Sequence, residues 1–221
     1  MLVISAGLLS AACDNGVEGQ SQTAPDTRQT TSTSRTSAPP ATRDQDPSAG
    51  IDGVVRADYP SGLHANPGQR VAYDRSPPFG GAHDGIWADC NGIVYKTAVR
   101  NEHMVHALEH GTVWIAYNPD TVRNLDKLVG KVEGQPYMML SPYPGLDKPI
   151  SMQSWGRQLK VDSADDPRID AFIKALRANR FTTPELGARC DTADPSVFDV
   201  TNPPPFDPTP PGPDAMPVIP R

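Results

Sequence analysis

The chain has 221 residues, a formal net charge of −6 and an isoelectric point near 5.3. That acidic balance excludes the basic surface on which nucleic-acid recognition rests, so no nucleic-acid partner is expected. Cation binding stays open, and the length leaves room for one domain once the atypical ends are set aside.

Residues 1–13 open with an apolar run, Met1 to Ala12, closed by small residues and followed by Cys13. A membrane-spanning helix needs about 20 such residues. The run therefore reads as the hydrophobic region of an export signal, with Ala11 and Ala12 before the cleavage point. Leu9-Ser-Ala-Ala-Cys13 resembles a bacterial lipobox, with the leucine one position further from the cysteine than usual. Lipidation of Cys13 is expected, which places the protein outside the cytoplasm, anchored to the membrane as a lipoprotein or else secreted.

Residues 14–50 are Ser, Thr, Gln, Pro, Asp and Arg with almost nothing large and apolar. Such a segment does not bury enough surface to offset its ordering entropy and reads as a disordered linker. Residues 192–221 are proline-rich and read as an extended, disordered tail. The globular domain is expected over residues 51–191.

Its first half is dominated by turn chemistry: Tyr59-Pro60, Pro67-Gly68, Ser76-Pro-Pro-Phe-Gly-Gly81 and Asn91-Gly92. A long irregular stretch inside a compact domain is usually functional, and this one carries His64 and His83. Asn101 then caps a helix that ends at Gly111.

Three of the five histidines lie on that helix. At about 100° per residue, His103, His106 and His110 share a stripe roughly 60° wide, opposite Met104, Val105 and Leu108. Imidazoles facing away from the apolar side either meet solvent or line a site completed by other segments. Two imidazoles at i and i+4 on one helical face commonly reach one metal ion.

Thr112 to Tyr117 follows as a strand rich in β-branched and aromatic residues. Asp120 is expected to cap a helix with apolar positions Val122, Leu125, Leu128 and Val129, stopping near Gly130 or Gly134. Tyr137 to Ser141 is a second strand, ended by the turn Pro142-Tyr-Pro-Gly145. Ile150 to Trp155 and Gln158 to Val161 form a hairpin around Gly156-Arg157. Asp166-Pro167 opens a last helix with the stripe Ile169, Phe172, Ile173 and Leu176. This order predicts an α+β fold, a small mixed β-sheet covered by helices in a single domain between two disordered tails.

Cys90 and Cys190 are the only cysteines of the domain. In an exported protein such a pair reads as a disulfide, worth about 4 to 5 kcal/mol in the chain-entropy picture. The competing reading, metal thiolates, lacks the close Cys spacing of zinc sites.

Several linked motifs resemble the bacterial family known as domain of unknown function 3105. Gly62-Leu-His64 is similar to its Gly-x-His, Pro77-Pro-Phe-Gly-Gly-Ala-His83 to its Pro-Pro-x-x-Gly-x-His, and His106-Ala-Leu-Glu-His-Gly111 with the Val-Trp-Ile-x-Tyr strand to its Leu-Glu-His-Gly signature. Ser141-Pro-Tyr-Pro-Gly145, Trp155-Gly-Arg157 and the two cysteines are similar to its actinobacterial branch. The resemblance spans roughly Gly62 to Cys190. It implies an exported or anchored protein, brings no established activity, and singles out His64, His83, His106 and His110 while leaving His103 outside the motif.

The expectation is a transition-metal site, copper or zinc, formed by His64, His83, His106 and His110, with Glu109 and Tyr117 as supporting neighbours. Met104, Met138, Met139 and Met152 would favour Cu(I) if they joined it, although methionines at helix and strand positions are more often core. Two other readings stand beside it. His106-Ala-Leu-Glu-His110 matches the His-x-x-Glu-His pattern of zinc peptidases, with Glu109 as base and Glu185 at a separation similar to that of their third ligand. The third is a metal-free scaffold at the cell surface whose protein partner is unspecified. Gly80-Gly81 lacks the lysine of a phosphate loop, and no serine-nucleophile elbow is present.

Overall fold

The computed structural model describes residues 46–192 and 194–220. The signal-like segment with Cys13, and the linker up to residue 45, lie outside the described residues. Among the described residues no helix is long and apolar enough to cross a membrane.

The domain is an α+β fold built on a six-stranded mixed sheet ordered β1-β7-β6-β4-β5-β3. In chain order the strands are β1 (Val55–Arg56), β2 (Val71–Ala72), β3 (Asn91–Val94), β4 (Val113–Tyr117), β5 (Met138–Pro142), β6 (Ile150–Ser154), β7 (Arg157–Val161) and β8 (Met216–Pro217). The helices are α1 (Asn101–Glu109), α2 (Leu125–Val132) and α3 (Arg168–Leu176). β4 runs parallel to β5 and β5 to β3, whereas β6, β7 and β1 continue the sheet antiparallel.

Both faces of the sheet are covered, which is why β4 and β5 read as continuous apolar runs rather than alternating ones. Side chains still alternate with the period of two that strand geometry imposes. Val113, Ile115, Met138, Leu140, Ile150 and Met152 pack with α2 and α3. Trp114, Ala116 and Met139 pack with Met104, Val105 and Leu108 of α1. The Trp114 indole on that face is satisfied by the Ser141 hydroxyl at 2.9 Å. All four methionines named above are fully buried in these cores, so their thioethers act as packing groups.

The helix boundaries shift slightly from expectation. Asn101 is the first helical residue rather than the cap. α2 starts at Leu125 because Asn118 forms a side-chain turn with the Asp120 amide at 2.9 Å, and Asn124 enters the helix through a left-handed φ of 56°. Asp166 does accept from the Arg168 amide at the start of α3, at 2.9 Å. Asn91-Gly92, read as a turn, lies inside β3. The local signal was real, since Gly92 has φ of 75° and a Cβ there would sit 2.3 Å from the Gly134 amide. Its outcome is a register shift in the β3–β5 pairing rather than a reversal.

Two segments expected to be disordered belong to the domain. Asp46 caps a 3-10 turn, Pro47–Gly50, with Ser48 fully buried. Its carboxylate lies 3.0 Å from Arg157 Nε. The proline-rich C-terminal segment is extended, as its composition dictates, but it is a strap and not a free tail. Phe198 enters the α1-side core. The Pro204 carbonyl accepts from the Arg100 amide at 2.8 Å, the Phe206 amide donates to the Ala98 carbonyl at 3.1 Å, and β8 pairs in parallel with β2. Proline removes backbone donors but leaves carbonyls and apolar anchors, and those are what this strap uses. Cys90 and Cys190 form the expected disulfide, with Cα atoms 4.9 Å apart across a separation of 100 residues.

Candidate metal centre

Helix α1 is buried on both sides. Its apolar side meets the sheet, and the irregular segment before β3 lies over its polar side, so His103, His106, Glu109 and His110 are all nearly inaccessible. A row of imidazoles therefore lines an internal site rather than a solvated face.

The irregular segment brings two more rings to this face. The chain around His64 runs parallel to the chain around His83. The Ala65 amide donates to the His83 carbonyl at 2.7 Å and the His83 amide to the Leu63 carbonyl at 3.0 Å. Their ring centroids lie 5.0 Å apart, and His106 stands 5.2 Å from His64 and 4.6 Å from His83. One donor atom each from His64, His83, His106 and Glu109 falls within 4.8 Å of the others, a group able to hold a metal ion.

The tautomers are set by backbone carbonyls. Nδ1 of His83 is held by Gly81 at 2.9 Å, that of His106 by Asp84 at 2.7 Å, and that of His110 by Arg189 at 2.9 Å. A carbonyl only accepts, so Nδ1 carries the proton and a neutral ring keeps its lone pair on Nε2. This is the outer-shell arrangement that orients histidine ligands in metal sites. Gly81 is required for it: its φ is 99°, and a Cβ would meet Val218 of the strap at 2.9 Å.

Burial, together with the neighbouring His83 and His110, lowers the pKa of His106 to about 3. Burial likewise lowers His110 and His103. These rings stay uncharged at neutral pH, the state in which imidazole coordinates.

Glu109 occupies a more central place than a supporting neighbour. Its Oε1 accepts from the Gly62 amide at 2.6 Å. Its Oε2 lies 2.9 Å from His83 Nε2, both side chains being fully buried. The separation is that of an ion pair, but the two atoms are misaligned for hydrogen bonding and neither has any hydrogen-bond partner. With Nδ1 donating to Gly81, a neutral His83 ring leaves Nε2 as an acceptor beside an acceptor oxygen in a dry interior. A buried acceptor pair of that kind is costly unless a proton lies between them or a cation is held beside them.

His110 is displaced from the four-donor group. It belongs with His106 and Glu185 to a second set whose donor atoms also lie within 4.8 Å of one another. Its Nε2 is 3.5 Å from Oε2 of Glu185, a side chain 46% exposed. His103 joins neither set; its Nδ1 is held by the Ile86 carbonyl at 2.7 Å and its ring packs beside Phe198. Tyr117 lies on the opposite face of the sheet, against the α2 and α3 core, and plays no part.

Sequence reasoning missed the ionic frame behind the site. Arg100 bridges Asp84 at 2.8 Å and Glu102 at 3.0 Å, and Arg70 links Glu102 at 3.7 Å to Asp207 of the strap. Burial alone would raise the Asp84 pKa, but the Ile86 amide, His103 and Arg100 outweigh it and hold the carboxyl below its ordinary value. Asp84 is also the residue whose carbonyl orients His106. Charged residues flanking the histidines were the available signal, but their pairing is long-range.

No curated protein and no solved structure matches the chain. The model of a family described as a protein of unknown function, DUF3105, matches residues 64–192. That span covers more than half the sequence and contains every donor of both sets together with the disulfide. The chain thus belongs to the DUF3105 family.

Proposed function

We propose that the protein binds a divalent transition-metal ion through His64, His83, His106 and Glu109, in an exported and lipid-anchored setting. The observation that carries the reading is the buried, unbonded approach of His83 Nε2 to Glu109 Oε2. An ion held beside them by both atoms turns an unsatisfied contact into two coordinate bonds. Three imidazoles and a carboxylate suit zinc or copper(II). Cu(I) loses its support, because the methionine thioethers lie in the cores. The apolar run ending at Cys13 and the disulfide both fit an oxidising extracytoplasmic address.

The peptidase reading gains one observation, since Glu185 does approach the His106–His110 pair. It loses its base, because both oxygens of Glu109 are directed at Gly62 and His83 rather than at a water on that pair.

The test is elemental analysis of protein exported natively, beside a His83→Ala/His106→Ala double variant and a His103→Ala control. A single ion per chain is expected in wild type and control, and none in the double variant with its circular dichroism retained. Supplying ion at about 100 times its Kd should add about 2.7 kcal/mol of stability, reversed by chelator. Wild-type protein without bound metal and without that gain would leave the metal-free scaffold as the better account.

A further inference from the structure

Two donor sets share one histidine. His106 belongs both to the buried set with His64, His83 and Glu109 and to the outer set with His110 and Glu185. Its Nδ1 is committed to the Asp84 carbonyl at 2.7 Å, so only Nε2 remains for coordination. A neutral imidazole nitrogen offers one lone pair and does not bridge two ions. The two sets are therefore alternative seats for one ion rather than a binuclear centre.

Each set holds one exposed donor, the imidazole of His64 in the first and the carboxylate of Glu185 in the second. His83 and Glu109 are fully buried, whereas Glu185 is 46% exposed and His110 behind it is 3% exposed. Among the donors, Glu185 is the exposed carboxylate; His64, the other exposed donor, is neutral when competent to bind. A hydrated cation approaching the protein is drawn first to the negative group, and steering of this kind raises association rates. The ring centroids of His110 and His106 lie 4.8 Å apart, and those of His106 and His83 lie 4.6 Å apart. Trp87 packs edge-on against both His106 and His110.

We infer that His110 and Glu185 form an outer station, from which an ion passes to the buried set by exchanging ligands while His106 stays bound. No electron or proton is consumed in the step: bonds to His110 and Glu185 break as bonds to His83, Glu109 and His64 form. This inference rests on the metal-binding reading of the buried set. It gives the protein the character of an ion carrier, in which uptake and release run through a defined mouth and need no opening of the core.

Cobalt(II), whose visible absorption reports its ligands, is the probe. Glu185 is exposed, so Glu185→Gln tests the mouth without disturbing the core; its melting curve without metal should overlay that of wild type. Stopped-flow mixing of the full chain with cobalt(II), followed by displacement with chelator, should show association and dissociation both slowed about tenfold. The equilibrium Kd and the stoichiometry of one ion per chain should be unchanged. His83→Ala should instead weaken the Kd. Unchanged rates in Glu185→Gln, a weakened Kd, or two ions per chain in wild type would each overturn the outer station while leaving the buried site intact. Failure of wild type to take up any cobalt would remove the buried site, and the station with it.

Discussion

His83 Nε2 and Glu109 Oε2 face each other at 2.9 Å in a fully buried position, without a hydrogen bond between them. The two side chains come from a turn and a helix, and each is anchored at its other end by backbone, His83 on the Gly81 carbonyl and Glu109 on the Gly62 amide. Neither swings away freely.

Replacing the carboxylate by an amide resolves the contact without an ion. In Glu109→Gln, Oε1 still accepts from Gly62, and an uncharged NH2 replaces the second acceptor oxygen beside His83 Nε2. The metal-free variant should be at least as stable as metal-free wild type, by up to ~1 kcal/mol in urea unfolding with chelator present. Its affinity for zinc should fall at least roughly tenfold, the lower bound for losing even an outer-shell partner. A loss of several kcal/mol in the metal-free variant would instead identify a structural ion pair.

Phe198 tests the strap. It is 2% exposed and lies in the core with Met104, Leu108 and Trp114. Phe198→Ala should cost ~3 kcal/mol or more in chemical denaturation. A segment that merely trailed in solvent would show no change, and that result would detach it from the fold.

Asp46 supplies a pH dependence. Burial alone would raise its pKa, but the Ser48 hydroxyl, Arg157 and the Ser48 amide outweigh burial and hold the carboxyl below its ordinary range. A folded-state value below the unfolded one means stability that is present at neutral pH and lost as the pH falls through the carboxylate range. Asp46→Asn should therefore be less stable at neutral pH, by roughly 1–3 kcal/mol for a charged hydrogen bond left unmade. The deficit should shrink on acidification. A deficit that stays constant from neutral to acidic pH would rule out this carboxylate as the titrating group.

Strands β4 to β7 and the three helices were readable because each carries its own period: the apolar stripe of α3, the β-branched run of β4, the hairpin at Gly156; the two-residue β1 carries none. β3 was not, because its glycine signals a left-handed residue whether the chain turns or bulges. Tyr117 was misplaced for a related reason. Alternation along β4 assigns it a face, but which face meets α1 depends on how the sheet packs.

From the residues alone came the imidazole stripe on α1, the turn-rich segment carrying His64 and His83, and the pairing of Cys90 with Cys190. Helical geometry fixes the spacing of His106, Glu109 and His110 locally, so their common helix needed no partner. That Glu109 faces His83, that His110 turns to Glu185, and that proline-rich carbonyls hold the strap were decided by tertiary structure. Those relationships join residues far apart in sequence, and their geometry comes from the sheet and from burial, which no local pattern encodes.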